Sequence, residues 1–254
     1  MSSHEVLMTA SIPKACGART TSSEPSSPAR GSEPPTLPRY APNMFLDQPQ
    51  GFQFPERVAE RRAMLATEES AQPLRAWRDA MVARRQPKQS GIYVPDFDPA
   101  EGGAGARALL LFEAPGPGTV PSLGGSGFIS VDNNDQTAKN VWDVRNDVGL
   151  HEGVLSWNIV PWVLEQEKQT PTAADLAQGA METRRLMQLL PNLAVVAVCG
   201  TATQRGWKQH VAPYLEKDGP VVVSTWLPSQ LAFNQPGKRE GFTEALRRVA
   251  RLIN

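Results

Sequence analysis

Residues that build metal centres and disulfide frameworks are scarce in this sequence. The 254 residues include 2 cysteines and 3 histidines, and two thiols cannot hold a four-cysteine iron–sulfur cluster. The histidines, His4, His151 and His210, lack the spacing that is typical of zinc ligands. Cys16 lies in a polar segment and Cys199 ends an apolar run. We therefore expect no disulfide between them, no metal and no cofactor.

Long apolar runs and a net charge are absent as well. No stretch approaches the ~18 apolar residues of a membrane span, and the first residues lack the charged and apolar regions of a secretion signal. We therefore expect a cytoplasmic protein. The 26 basic side chains balance the 26 acidic ones, which excludes a globally basic nucleic-acid binder but not a local basic face. With 40% hydrophobic residues, the chain can bury a sizeable core.

Composition divides the chain into two parts. Half of residues 1–40 are Ser, Thr, Pro or Gly, and such a segment buries too little apolar area to offset its ordering entropy. We predict a disordered tail over 1–40 and a single domain over 41–254. In that domain, apolar residues at three-to-four spacing predict N-terminal helices over 55–90, and 91–254 carries the motifs described below.

The N-terminal helices are locally basic. Their basic residues include Arg61, Arg62, Arg75, Arg78, Arg84, Arg85 and Lys88. This pattern fits a solvated helical face, and it also fits a contact with a DNA backbone. The sequence alone leaves both interpretations open.

Four short apolar runs predict a sheet. They lie at 107–112, 154–159, 194–199 and 220–225. Near-continuous apolar runs are typical of parallel strands that helices cover on both faces. Amphipathic segments alternate with these runs, at 138–148, 173–190, 201–215 and 241–253. The expected fold class is α/β, a three-layer α/β/α sandwich around a four-stranded parallel sheet.

Ligands of open parallel sheets bind beyond the carboxyl ends of the strands, so the residues after each run are candidates for function. The turn 113–118 after the first run has the sequence EAPGPG. It leaves the third glycine of a dinucleotide fingerprint unfilled, which argues against a nucleotide-dependent enzyme of the Rossmann type. Glu113 is either an ordinary loop acid or a carboxylate held against a ligand.

Two further segments follow later runs. Asn158 ends the second run, and its amide must satisfy both a donor and an acceptor. It therefore either caps the backbone or reads a ligand. The segment after the fourth run, 226–234, combines apolar and aromatic residues with a Pro-Ser turn. Leu231 in this segment either folds back into the core or forms an exposed wedge.

Taken in order, these segments resemble the uracil-DNA glycosylase superfamily. The sequence FEAPG at 112–116 is similar to the first motif of the family, and GVLSWN at 153–158 to the strand that carries its base-reading asparagine. The sequence VVAVCGTATQRG at 195–206 looks like the third strand and its turn, and LPSQLA at 227–232 resembles the last motif, His-Pro-Ser-Pro-Leu-Ser. The nearest branch is a bacterial one that carries FEAPGP and WNIVPW.

This resemblance implies a uracil-DNA glycosylase-like fold and an enzyme that removes uracil or a related deaminated pyrimidine from DNA in base excision repair. DNA is the implied partner, and we expect a monomer that needs no cofactor. Glu113 would supply the catalytic carboxylate. Asn158 would read the base, which Phe128 would stack on unless it is a core residue. The rest of the implied base site is Ala114, Pro115 and Gly116, and the implied DNA contacts are Pro228, Ser229, Gln230 and Leu231.

The sequence departs from the family pattern at positions that bear on activity. Leu227 stands where the last motif has its catalytic histidine, and a leucine cannot donate a hydrogen bond to the base oxygen. Losing one such donor costs about 10²–10³ in rate. Gly116 stands where the best-known branch has a tyrosine that bars 5-methyl groups. A binding protein that keeps the pocket without turnover is therefore the alternative function.

Overall fold

The structure is a computed structural model that describes residues 45–86, 92–164 and 170–254. The predicted tail over 1–40 lies outside the described residues, and so does Lys88. Within the described ranges, no helix is both long enough and apolar enough to cross a membrane.

Two helices lie near the start of the described chain. Helix α1 spans Pro55–Thr67 and α2 spans Gln72–Arg85, within the stretch where the spacing of apolar residues predicted helices. Each has a proline in its first turn, where a missing N–H costs no intrahelical hydrogen bond. Leu74 and Met81 of α2 are fully buried in the main core cluster, so the apolar face of this helix packs on the rest of the molecule.

The predicted four-stranded parallel sheet is confirmed. The strands of the described ranges are β1 at Asp96–Phe97, β2 at Ala108–Phe112, β3 at Phe128–Ile129, β4 at Val154–Asn158, β5 at Val195–Cys199 and β6 at Val221–Thr225. The sheet has the order β4-β2-β5-β6, and every neighbouring pair is parallel. Strands β1 and β3 form a separate two-stranded sheet. The sequence pattern missed it because two-residue strands carry no periodicity.

Five further helices follow. They are α3 at Gln136–Asp147, α4 at Ala173–Met187, α5 at Thr201–His210, α6 at Gln230–Phe233 and α7 at Lys238–Ile253. Four of them occupy the predicted amphipathic segments, and the one-turn helix α6 was not predicted. Helix α4 begins with a capping box in which Thr172 and Asp175 bond each other's backbone N–H groups, which satisfies two donors at the helix start.

Alternate residues of the strands enter two core clusters, because successive side chains of a strand point to opposite faces. Leu109 and Leu111 pack in a cluster with residues of α2, α4 and α5. Ala108 and Leu110 pack in the other cluster with residues of α3 and α7. Helices therefore cover both faces of the sheet, an arrangement compatible with three layers. Cys199 is fully buried in the second cluster.

Several arginines of the N-terminal helices have partners within the protein. Arg61 is 3% exposed, and its guanidinium pairs with the carboxylates of Asp98 and Asp132. Both interpretations offered by the sequence, a solvated face and a DNA contact, are therefore wrong for Arg61, because its charge is neutralised in the interior. Other arginines also have internal partners: Arg62 donates to the Ser126 carbonyl, Arg78 donates to the Val94 carbonyl, and Arg84 pairs with Glu182.

Candidate functional site

A cleft of about 460 Å³ opens at the carboxyl ends of the sheet strands. Four parts of the chain line it: the end of β2 with the turn that follows, the residues from β3 to the second turn of α3, the end of β4, and two residues that follow β6, Leu227 and Gln230. Open parallel sheets bind ligands in this position. The volume lies in the range of about 300–1,000 Å³ that is typical of small-molecule sites. This cleft is therefore the candidate functional site.

The register of the sheet brings Glu113 and Asn158 to the same edge. Phe112, the last residue of β2, pairs across the ladder with Asn158, the last residue of β4. Neighbouring strands lie about 4.8 Å apart. The ladder continues past both strands, because the N–H of Val160 donates to the carbonyl of Glu113 at 3.0 Å. Both side chains line the cleft.

The amide of Asn158 is buried without a described partner. Asn158 is 5% exposed and lines the cleft, and its side chain enters no hydrogen bond with another residue of the described ranges. The amide atoms are not sealed in the interior, because they reach the space of the cleft. Of the two roles that the sequence left open, capping the described backbone is therefore wrong, and reading a ligand stays a prediction.

The carboxyl of Glu113 lies within electrostatic range of a basic residue, Arg205. Burial raises the pKa of this half-buried carboxyl, and the guanidinium of Arg205 on α5 acts in the opposite direction. The carboxylate is therefore stabilised by a cation while it loses hydration to the cleft wall. The net shift is upward, so burial outweighs Arg205, and a carboxyl with a perturbed pKa in a cleft is typical of functional sites.

The three residues after Glu113 all line the cleft, as the resemblance implied for a base site. Ala114 packs against the main core cluster and Pro115 is buried, so both are held in place. Gly116 leaves room, because a β-carbon built there would meet no atom within 4 Å. The turn is closed by the Thr119 hydroxyl, which donates to the Gly116 carbonyl at 2.8 Å.

Asp135 is a second carboxylate of the cleft that the sequence analysis missed. It precedes α3, and its Oδ1 accepts the backbone N–H of Ala138 at 2.9 Å as the helix N-cap. It also lines the cleft. The available signal was an aspartate directly before an amphipathic segment, which is typical of a helix start. That signal predicts the cap but not the cleft.

Phe128 does not lie in the cleft, so the prediction that it stacks on a base is wrong for this structure. It is 1% exposed and packs in a separate core cluster with Leu46, Phe52 and Leu65. Its ring lies 6.0 Å from the ring of Phe52, measured between centroids. The next residue, Ile129, lines the cleft in its place, because neighbouring side chains of a strand point in opposite directions.

Leu227, which the resemblance matched to a histidine, lines the cleft. The chain approaches closely here, since a β-carbon built on Gly200 would lie 3.0 Å from the β-carbon of Leu227. Gly200 also has a φ of +92°, which an L side chain rarely adopts. The glycine after β5 therefore allows the segment after β6 to pack beside it, and an apolar side chain faces the cleft.

The four residues predicted to bind DNA differ in their surroundings. Pro228 is buried, and its carbonyl accepts the Asn140 side-chain amide at 2.8 Å. Ser229 caps α6, because its Oγ accepts the N–H of Ala232. Gln230 is exposed and lines the cleft. Leu231 is 77% exposed. Of the two positions left open for Leu231, the core is wrong, and an exposed apolar side chain stands beside the cleft.

In comparisons with known proteins, no protein-family profile matches the chain, and no curated protein matches it significantly in sequence. Among residues 45–86, 92–164 and 170–254, no three His, Cys, Asp or Glu side chains are grouped so that they could hold a metal ion. The candidate site is therefore defined by its own geometry: the carboxylates of Glu113 and Asp135 and the unpartnered amide of Asn158 line the cleft, and the exposed Leu231 follows the lining residue Gln230.

Proposed function

We propose that this protein is a DNA glycosylase that removes uracil or a related deaminated pyrimidine from DNA by hydrolysing the N-glycosidic bond. The observation that carries the proposal is the buried, unpartnered amide of Asn158 beside Glu113 in one cleft. The four motif resemblances support it, and they extend the proposal to the fold, a uracil-DNA glycosylase-like sandwich.

The amide of Asn158 suits the edge of uracil. Uracil presents an acceptor, O4, beside a donor, N3–H, and one side-chain amide complements both. Cytosine reverses this pattern, so an amide held in one orientation leaves its groups mispaired with cytosine. A site built around a buried polar group rejects the wrong partner by up to about 10⁴. Glycosylases read the base in this way after flipping it out of the stack.

The charge of Glu113 suits the transition state. Breaking the bond between C1′ and N1 leaves positive charge on the sugar and negative charge on the departing base. A carboxylate at the cleft edge stabilises the sugar cation, and the backbone N–H groups of the 113–118 turn are candidates to bind the base. Burial raises the pKa of Glu113, and the charge of Arg205 partly offsets that effect and so helps the carboxyl to ionise.

The exposed apolar side chain of Leu231 suits a contact with the base stack of DNA. This side chain is 77% exposed on the short helix α6, which follows directly on the cleft residue Leu227. An apolar side chain inserted into the stack fills the space that a flipped nucleotide leaves. We expect phosphate contacts around it to make DNA affinity fall as salt rises.

An oligonucleotide assay tests the proposal. A uracil-containing strand is incubated with excess protein, abasic sites are cleaved with alkali, and the single-turnover rate is measured. We expect excision by the wild type and losses of about 10²-fold or more in Glu113→Ala and Asn158→Asp. The matched controls are Glu152→Ala and Asn146→Asp, both at exposed positions, and we expect wild-type rates from them. Equal rates in all five proteins would contradict the assigned roles.

A binding protein without turnover is the second candidate, and Leu227 favours it. This side chain lines the cleft where a donor to the base oxygen is expected, and it cannot donate. If the binder is correct, the wild type retains uracil-containing DNA selectively without cleaving it. Leu227→His separates the two functions further, because restoring a donor should raise excision about 10-fold or more. An unchanged rate would show that position 227 does not reach the base oxygen.

A further inference from the structure

The cleft contains a second titratable side chain, Asp135, that no motif resemblance assigns. Glu113 and Asp135 are the two titratable side chains among the residues that line it. Ala114, which follows Glu113 and lines the cleft, has no polar side-chain group. Hydrolysis of an N-glycosidic bond needs a base for the attacking water as well as a charge near the sugar. Ala114 cannot supply that base.

The carboxylate of Asp135 is held rigidly against the turn that carries Glu113. Its Oδ1 accepts the N–H of Ala138 at 2.9 Å. Its Oδ2 lies 3.4 Å from the position that a β-carbon would take on Gly118, in the turn that follows Glu113. The N-cap bond fixes one oxygen, and the other lies beside Gly118 in a residue that lines the cleft.

The two carboxylates have different electrostatic surroundings. Arg205 counteracts the effect of burial on Glu113. Burial also raises the pKa of Asp135, and there only the backbone N–H groups of Ala138 and Thr137 act in the opposite direction. Protonation of Asp135 breaks no ion pair, whereas protonation of Glu113 gives up the attraction of Arg205. Two carboxyl groups in unlike environments are typical of sites that divide two roles.

We infer that Asp135 is the catalytic base that orients and deprotonates the hydrolytic water, while Glu113 faces the sugar cation. This assignment rests on the proposed glycosylase function. The water oxygen bonds to C1′, the C1′–N1 bond breaks, and its electron pair leaves with the base. The water proton passes to the Asp135 carboxylate and then to solvent. The departing base anion takes up a proton from solvent, so the products are the free base and a sugar with a 1′-hydroxyl.

The unpartnered amide of Asn158 ties this assignment to a ligand site. Asn158 is 5% exposed, lines the same cleft and has no hydrogen-bond partner among the described residues. A base bound by that amide would bring its sugar between the ends of β2 and β4 and the start of α3. Asp135 caps that helix and lines the same cleft as Asn158.

The decisive variant is Asp135→Asn, because asparagine caps a helix as well as aspartate does and so preserves the fold. We expect its single-turnover excision rate to fall about 10²-fold or more. Its affinity for an uncleavable strand that carries 2′-fluoro-deoxyuridine should stay within about twofold. Asp147→Asn, an exposed aspartate at the other end of α3, is the matched control and should keep the wild-type rate.

A second variant tests the base role through pH. Gly118→Ala places a methyl group in ordinary contact with Oδ2 of Asp135, which removes water from the carboxylate and raises the pKa of Asp135 further. We expect the acidic limb of the rate profile to move to higher pH in Gly118→Ala. In the Asp135→Asn background, the same substitution should leave the acidic limb of the rate profile at the same pH. Glu113, with Arg205 beside it, is the other charged side chain facing the cleft, and its contribution is common to both backgrounds.

The possible outcomes distinguish the role of Asp135 from the proposed glycosylase function. Excision by the wild type with an undiminished rate in Asp135→Asn would overturn the inference and leave the proposed function standing. A shifted limb that persists in the Asp135→Asn background would also overturn it. If Asp135→Asn does not fold, Gly118→Ala decides alone, and an unmoved limb contradicts the base role. No excision by the wild type overturns the proposed function, and the inference with it.

Discussion

Ser156 and Asn158 are both buried and lie on the same face of β4, two residues apart. The polar groups of Ser156 have hydrogen-bond partners, whereas the side-chain amide of Asn158 has none among the described residues. The N–H and hydroxyl of Ser156 donate to the carboxylate of Glu101, which also pairs with Arg145. Asn158 is as deeply buried and has no described partner. A buried polar group with all its partners stabilises the fold, whereas one without them is available to a ligand.

The largest expected effect concerns the paired region. In Glu101→Ala, the guanidinium of Arg145 stays buried without its countercharge, which typically costs about 3–5 kcal/mol. We expect a loss of that size in the free energy of unfolding, measured by urea titration. Glu152→Ala, at an exposed position just before β4, should change it by less than about 0.5 kcal/mol. A loss below about 1 kcal/mol in Glu101→Ala would show that the pair does not hold the interior together.

The next prediction compares the stability effects of replacing two buried asparagines, Asn133 and Asn158, that both line the cleft. The side chain of Asn133 donates to the Phe128 carbonyl at 2.9 Å and accepts from the Ser126 hydroxyl. Asn133→Ala should therefore lower the free energy of unfolding by about 1–3 kcal/mol.

Asn158→Ala should change that free energy by less than about 1 kcal/mol, because no described partner is lost. It should instead lower single-turnover excision of uracil about 10²-fold or more. Urea titration and the excision assay on both variants check the pair of predictions. A stability loss in Asn158→Ala as large as that in Asn133→Ala would assign Asn158 to the fold.

The third prediction concerns how stability depends on pH. It involves the buried cluster in which Arg61 of α1 pairs with Asp98 and Asp132. Burial raises the pKa of Asp132 to about 7, against the pull of Arg61. The folded state therefore keeps a proton that the unfolded chain releases near its ordinary pKa of about 4. Stability must then fall as pH rises through that window, by on the order of 2 kcal/mol between about pH 5 and pH 8.

Asp132→Asn removes this contribution, so its free energy of unfolding should depend less on pH than that of the wild type. Urea titrations of both proteins at several pH values measure the difference. Other buried carboxyls with raised pKa values, such as Glu101 and Asp135, contribute to both proteins and cancel in the comparison. Parallel pH curves would mean that Asp132 is ionised in the folded protein throughout the window.

The smallest effect concerns the exposed leucine beside the cleft. Leu231→Ala should leave the free energy of unfolding within about 0.5 kcal/mol, because the side chain has few contacts to lose. We expect excision from duplex DNA to fall several-fold and excision from single strands to stay unchanged, since only a duplex needs its stack held open. Leu252→Ala, on exposed α7 surface, is the matched control. Equal losses on both substrates would contradict the wedge role.

Local pattern predicted the elements of the fold. The strand ends at Phe112, Asn158, Cys199 and Thr225 agree with the predicted runs within one residue, because a buried parallel strand needs apolar residues on both faces. The small sheet of β1 and β3 could not be found in this way. Its strands have two residues each, so pairing between distant segments rather than periodicity decides it.

The candidate site was predicted in part. Glu113, Asn158 and Leu227 lie where strands end, and the carboxyl ends of parallel strands share one edge, so their meeting in one cleft follows from the topology. Phe128 and Asp135 were not predictable by the same reasoning. Both lie between β2 and α3, where the path of the chain rather than the register of the sheet decides which side chains face the cleft.

By itself, the sequence determined the helices, the four-stranded sheet and the edge at which function should lie, because hydrophobic period and strand ends are local properties. Only the tertiary structure decided which polar groups are satisfied. Arg61 finds its carboxylates 37 and 71 residues away, and Asn158 finds none among the described residues. Partners at such separations meet only when the chain has folded, so the difference between a structural charge and a vacant binding group is a property of the packed molecule.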